Sequence, residues 1–253
     1  HHKLPNAIPY RTTYYKRDWG FCVTHEQYET LKDSVGPLQI FIDSEFNKNG
    51  SLTAGELLIP GRCDQEILIS TYICHPSLAN DNLSGALMTA FLARELLNDN
   101  SLERGYRIIW IPETIGAITY SAYNEKDMQM IKSGLVVTTV GGPGAFGYKQ
   151  SFNQNHSINY IIEDVFEKKH IYYTRYPFDI HGSDERQFST QGFRINMASI
   201  TKDKYYEYDY YHSSLDNLNY ISADQIYSSL EVHLEVLSAL NREPLYLSNV
   251  KYC

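Results

Sequence analysis

The stretch EILISTYICHPSLANDNLSGALMTAFLARELLN (66–98) holds a buried-strand run, a polar loop and a helix, in that order. Residues 66–73 are apolar or β-branched at almost every position, the pattern of a strand covered on both faces. From 83 to 98, Leu83, Ala86, Leu87, Ala90, Phe91 and Leu97 fall on one helical face. Outward from this unit, YRIIWI (106–111) and LVVTTV (135–140) read as further buried strands, and 156–169 as a helix. IYYT (171–174) and RINMASI (194–200) read as strands, and 222–241 as a last amphipathic helix with Ser222 as its N-cap. Strands alternating with helices predict an α/β sheet with helices on both faces.

Residues 1–62 have another character. LQIFI (38–42) and ELLIP (56–60) are short alternating runs separated by turn signals such as NKNGS (47–51). They predict a small β-rich unit over 1–62, packed on an α/β core over 63–253. No internal repeat or low-complexity linker is visible.

With 253 residues, 43% of them hydrophobic and 21% charged, the composition is globular. The net charge is −8 and no Lys/Arg run exceeds two residues, which argues against a nucleic-acid surface. Apolar stretches reach about 8 residues, too short to cross a bilayer, and the N-terminus lacks the apolar segment of a secretion signal. None of the four cysteines forms a CxxC pair, so the expectation is a reduced, cytoplasmic protein without a zinc–thiolate site. His1 and His2 carry no weight. Tyrosine is abundant, at 22 residues, and YYEYDYY (205–211) reads as a strand surface or as an aromatic wall beside a cleft.

Ligands of open α/β sheets bind beyond the carboxyl ends of the strands. Here those ends carry CHPSLANDNLSG (74–85), PETIG (112–116), HGSDERQF (181–188) and, after the tyrosine run, HSSLDN (212–217). Each delivers His, Asp or Glu. A neutral imidazole and an ionised carboxylate are what a divalent metal requires, and His75 and Asp81 lie at one strand end. Taken singly, Asp81 or Asn82 could be only a helix cap, His212 only a surface residue, and Asp184 and Glu185 only the first turn of a helix.

Together these segments resemble the zinc aminopeptidase superfamily that includes double-zinc aminopeptidases and glutaminyl cyclases. Asp81-Asn82-Leu83-Ser84-Gly85 fits its D-x-x-SG context, and Tyr211-His212-Ser213-Ser214-Leu215-Asp216 the context of its last ligand, with Asp216 expected to orient that neighbourhood or to cap the helix after it. Within it, AIPYRTTYYKRDWGFC, IPG, CHPSLANDNLSGA, PETIGAI and GSDERQF resemble a bacterial aminopeptidase-like family that long carried an unknown-function label, over residues 7–240. The resemblance implies a three-layer α/β/α core with a mainly parallel or mixed sheet. It implies zinc ligands His75, Asp81 and His212, with Glu113 as general base; in a register shifted by one, Glu113 is itself a ligand. Thr114 and Thr138 stand where second-metal carboxylates belong, so one zinc is expected rather than two. Asp184 or Glu185 is expected to hold a substrate amine, or Arg186 a substrate carboxylate.

The expected activity is hydrolysis of an amide, aminopeptidase-like or carboxypeptidase-like, in a peptide or N-acylated small molecule by water activated on the metal. An N-acyl deacylase or acyl transferase is a neighbouring possibility. A metal-binding pseudo-enzyme is the rival from another class: the two threonines favour it and Glu113 opposes it. The resemblance also implies longer relatives, with further N-terminal segments and a winged-helix-like C-terminal domain, and hence that a chain ending at Lys251-Tyr252-Cys253 is a fragment. The oligomeric state is not legible.

Overall fold

The computed structural model describes residues 3–12, 16–179 and 181–244; His1, His2 and the end at Lys251-Tyr252-Cys253 lie outside them. Seven strands form one mixed sheet: β1 (Gly55–Ile59), β2 (Glu66–Tyr72), β3 (Gly105–Ile111), β4 (Ser133–Val137), β5 (Phe146–Lys149), β6 (Tyr173–Tyr176) and β7 (Asn196–Thr201). Their order is β1-β3-β2-β4-β7-β5-β6. β3, β2, β4 and β7 run parallel. β1 is antiparallel to β3, and β5 is antiparallel to β7 and parallel to β6. The helices are α1 (His25–Lys32), α2 (Gly85–Leu97), α3 (Ile115–Tyr123), α4 (Glu125–Met130), α5 (Ser157–Lys168), α6 (Glu185–Phe188) and α7 (Ala223–Arg242).

Alternate residues of each central strand enter two separate cores. Ile67, Ile69, Leu135, Val137, Ala198 and Ile200 pack with Met88 and Leu92 of α2, Ile158 and Ile162 of α5, and Val236 and Leu240 of α7. Leu68, Val136 and Met197 face the other way, towards Ala117 and Tyr120 of α3, Met128 of α4 and Phe188 of α6. That is the three-layer α/β/α arrangement, and it explains why β4 and β7 are buried at every position. As expected, Ser222 caps α7, its side chain accepting from the backbone N–H of Gln225.

Two segments differ from the sequence expectation. The expected β-rich unit over 1–62 holds, among its described residues, one helix and one strand. LQIFI (38–42) is in no strand and is exposed throughout. ELLIP contributes β1, but β1 pairs with β3 of the main sheet, so hydrogen bonds cross the expected boundary at 62/63. The tyrosine run 205–211 is a succession of turns and no strand. No helix among the described residues is long and apolar enough to cross a membrane, and Cys22, Cys63 and Cys74 are free thiols.

Candidate metal centre

β2 ends at Tyr72, and the chain then makes an irregular turn before α2. Asp81 (φ −114°, ψ 77°) and Asn82 (φ −147°, ψ 34°) are not helical, so Asp81 is no ordinary helix cap. Neighbouring side chains staple this turn to the sheet. Asn82 Nδ2 donates to Thr71 Oγ1 at 2.9 Å and to the Tyr72 carbonyl at 3.1 Å. Asn80 Oδ1 accepts the backbone N–H of Gly141 and Gly142 at 2.9 and 3.1 Å. Ser84 Oγ donates to the Asn80 carbonyl at 2.8 Å. Gly85 is required because a Cβ there would lie 2.2 Å from Asn82 Oδ1 and 2.7 Å from the Val137 carbonyl oxygen. Each residue of the Asn80–Gly85 stretch except Leu83 thus has a task in presenting Asp81.

Asp81 is 1% exposed. Its Oδ1 accepts from the Tyr72 hydroxyl, which is also 2.6 Å from Thr138 Oγ1. Its Oδ2 lies 3.0 Å from His212 Nε2, yet neither atom makes a hydrogen bond among the described residues. Contact distance without hydrogen-bond geometry leaves two buried polar atoms unsatisfied, at a cost unless a third group meets both. His75 completes the set: His75, Asp81 and His212 each offer one ligand atom, all within 4.8 Å of one another. One zinc ion can bridge that span, since tetrahedral ligand atoms sit roughly 3.3–3.6 Å apart. Two imidazoles and a carboxylate suit zinc. Burial holds the His75 imidazole below its ordinary pKa and so keeps it neutral, as a ligand must be.

Glu113 follows β3 by two residues. Its Oε2 is 3.9 Å from His75 Nε2, and its backbone N–H meets Cys74 Sγ at 3.1 Å. Burial, reinforced by the charges of Asp81 and Glu185, pushes its carboxyl up to about 7. Cys74, His75 and Glu113 form a second group with metal-ligand spacing that shares His75 with the first.

Asp184, Glu185 and Arg186 do not join this centre as a unit. Asp184 and Glu185 are fully buried. Asp184 Oδ1 accepts the backbone N–H of Thr114 at 2.7 Å, and Glu185 Oε2 accepts that of Ser183 at 2.9 Å. They shape the loops behind Glu113. Arg186 is exposed and lines a cavity of about 620 Å³ with Ile118, Ser121, Gln187, Thr190 and Phe193, none of them in the metal-ligand groups.

Two further residues shape the centre: Asp216, expected to orient the neighbourhood of His212 or to cap the helix after it, and Tyr10, to which the sequence assigns no role. Asp216 accepts the backbone N–H of Asn80 at 2.6 Å and of Asp81 at 3.0 Å, and the Tyr208 hydroxyl at 2.9 Å. Tyr10 lies against both imidazoles, its ring centroid 5.5 Å from that of His75 and 5.3 Å from that of His212. It is anchored there by its backbone N–H to the His212 carbonyl at 2.8 Å. The one signal for Tyr10 was its place in the AIPY motif. The aromatic wall is present too, with Tyr211 stacked on His212 at 4.0 Å. Beside His75 a cavity of about 380 Å³ is lined by Ile73, Pro76, Leu78, Leu83 and Leu218.

A family model described as "Domain of unknown function (DUF4910)" matches residues 4–243. A Clostridium acetobutylicum protein whose name includes "polysaccharide biosynthesis protein with aminopeptidase-like domain" is 39% identical over 250 residues, covering 98% of this chain. The chain spans 56% of that relative's length. A crystal structure of a peptidase-designated protein from the same organism superposes with a TM-score of 0.89 at 38% identity, over 94% of this chain and 56% of that one. The Bacillus subtilis zinc aminopeptidase BSAP gives a TM-score of 0.60 at 16% identity, over 74% of this chain and 49% of its own. A glutaminyl cyclase from an Acidobacteriales bacterium gives 0.63 at 15%, over 76% of this chain and 75% of its own. At such identities the last two show a shared fold.

Proposed function

Since the chain belongs to the family described as a domain of unknown function (DUF4910), with an aminopeptidase-like relative, we propose that it is the core of a zinc-dependent hydrolase that cleaves an amide bond. His75, Asp81 and His212 hold one ion. The observation that carries this is the pair of buried, unbonded atoms Asp81 Oδ2 and His212 Nε2, 3.0 Å apart and within ligand reach of His75. Zinc at such a site supplies Lewis acidity for a water and for the scissile carbonyl. One carboxylate among three ligands leaves the centre net positive, which favours a developing oxyanion.

Glu113 acts as the general base. Its carboxyl, which burial raises above the ordinary carboxylate range, stands beside His75 where it can take a proton from water and return it to the leaving amine. Tyr10 and Tyr211 wall the imidazoles and limit water around them. The apolar cavity beside His75 receives an apolar group of a peptide substrate. Asp184 and Glu185 act by fixing the loops at Thr114 and Ser183; a direct role in holding a substrate amine requires them to become exposed.

The rival reading is a metal-binding module without catalysis, favoured by Thr114 and Thr138 at positions where the resemblance implies carboxylates. Zinc content and hydrolysis of aminoacyl and N-acyl anilides, measured on the zinc-loaded protein, decide between them. Bound zinc with turnover supports the hydrolase; bound zinc without turnover on any of these supports the module; no bound zinc sinks both.

A further inference from the structure

Thr138, read from the sequence as a lost ligand, has a different task in the structure. The Tyr72 hydroxyl, on a side chain 3% exposed, reaches both Asp81 Oδ1 and Thr138 Oγ1. A neutral phenol has one proton, and an ionised carboxylate only accepts. The Tyr72 proton therefore goes to Asp81, and Thr138 is the donor to the Tyr72 oxygen. The chain of bonds runs Thr138 to Tyr72 to Asp81. It leaves Asp81 with one oxygen occupied and the other, Oδ2, facing His212. Among the described residues neither hydroxyl has another hydrogen-bond partner, and both are buried at the ends of adjacent parallel strands β2 and β4.

We propose that Tyr72, backed by Thr138, is the positioning residue of the metal centre: it holds Asp81 so that a single carboxylate oxygen faces the ion. This rests on the reading of His75, Asp81 and His212 as a metal site. Outer hydrogen bonds to ligating carboxylates orient them, and their loss commonly weakens metal binding 10- to 100-fold.

The test is zinc affinity, measured by chelator competition, beside the melting temperature of the metal-free protein. Wild-type protein that binds no zinc overturns the site reading and this proposal with it. With zinc bound, Tyr72→Phe is expected to weaken binding about 10- to 100-fold, by more than any loss of metal-free stability accounts for. Thr138→Val, nearly isosteric and without the donor, is expected to weaken it about 2- to 10-fold, the worth of one ordinary hydrogen bond. It also serves if Tyr72→Phe fails to fold. Unchanged zinc affinity in a folded Tyr72→Phe protein, or in Thr138→Val where only that variant folds, overturns the proposal and leaves Tyr72 as core packing while the metal site stands.

Discussion

Asp216 Oδ2 accepts the backbone N–H of Asp81 at 3.0 Å, across 135 positions of chain. The same carboxylate holds the N–H of Asn80 at 2.6 Å. The segment carrying His212 therefore also fixes the turn carrying Asp81, and one side chain ties together the distant stretches that carry these two residues. Asp216→Ala would leave two buried backbone donors without their acceptor. A loss of about 1–3 kcal/mol per unsatisfied group is expected, together with zinc binding weaker by about 10- to 100-fold. Urea unfolding and chelator competition measure the two separately. Unchanged zinc affinity in a destabilised variant would show that Asp216 supports the fold and not the site.

The parts of this arrangement differ in how far the sequence reveals them. β2, β3, β4 and β7 were legible because strands covered on both faces carry few charges and are rich in apolar and β-branched residues, whatever their neighbours. LQIFI (38–42) has an equally good alternating pattern and pairs with nothing, because alternation records a capacity to pair and not the presence of a partner. β5 is four residues with Gly147 inside, too short and too mixed to signal anything. The tyrosines of 205–211 follow a strand-like pattern, but their rings pack on one another and on His212 through turns. His75, Asp81 and His212 were read from motif context, and the structure brings them together. The burial of Asp184 and Glu185 was not legible, since three ionisable residues in a row ordinarily mark a solvated helix start.

Glu113→Gln removes the proposed base and keeps the shape of the side chain. Turnover is expected to fall by on the order of 10²–10⁴, the usual contribution of a positioned acid or base, with zinc content unchanged. Since the carboxylate is the active form, turnover of the parent protein should also decline on the acid side of the Glu113 pKa. Zinc content and steady-state turnover on one preparation check both. Loss of zinc in the Gln variant would make Glu113 a ligand, in the register shifted by one.

Gly85→Ala tests the turn from the other side. The new Cβ would meet Asn82 Oδ1 at 2.2 Å and the Val137 carbonyl at 2.7 Å. The carbonyl belongs to the central strand β4 and cannot give way, so the Asn82 staple must shift and Asp81 with it. A destabilisation on the order of 1–3 kcal/mol is expected from such overpacking, with reduced zinc content. A variant that melts with the parent and holds zinc equally well would show the turn to be looser than its bonds suggest.

His233, deep in α7, gives the fold a pH dependence independent of the metal centre. It is fully buried, with Nδ1 2.7 Å from the Ser229 carbonyl and no partner for Nε2 among the described residues. Burial pushes its pKa down from 6.5 to about 4. Nδ1 thus donates as N–H and the ring is neutral in the folded protein, while the unfolded chain takes up a proton near 6.5. Between these values the unfolded state binds more protons, so stability falls as pH falls. The contribution is complete above about 6.5, is lost progressively down to about 4, and changes no further below that. Its size is at most about 3 kcal/mol, from roughly 1.4 kcal/mol per pKa unit. Unfolding free energies of metal-free protein across this range, for the parent and for His233→Leu, isolate it, because the other titrating groups are common to both. The parent should lose more than the variant between pH 6.5 and 4, by up to about 3 kcal/mol. Parallel curves would mean that His233 is protonated in the folded state, and that its unpaired Nε2 reaches water or a carboxylate.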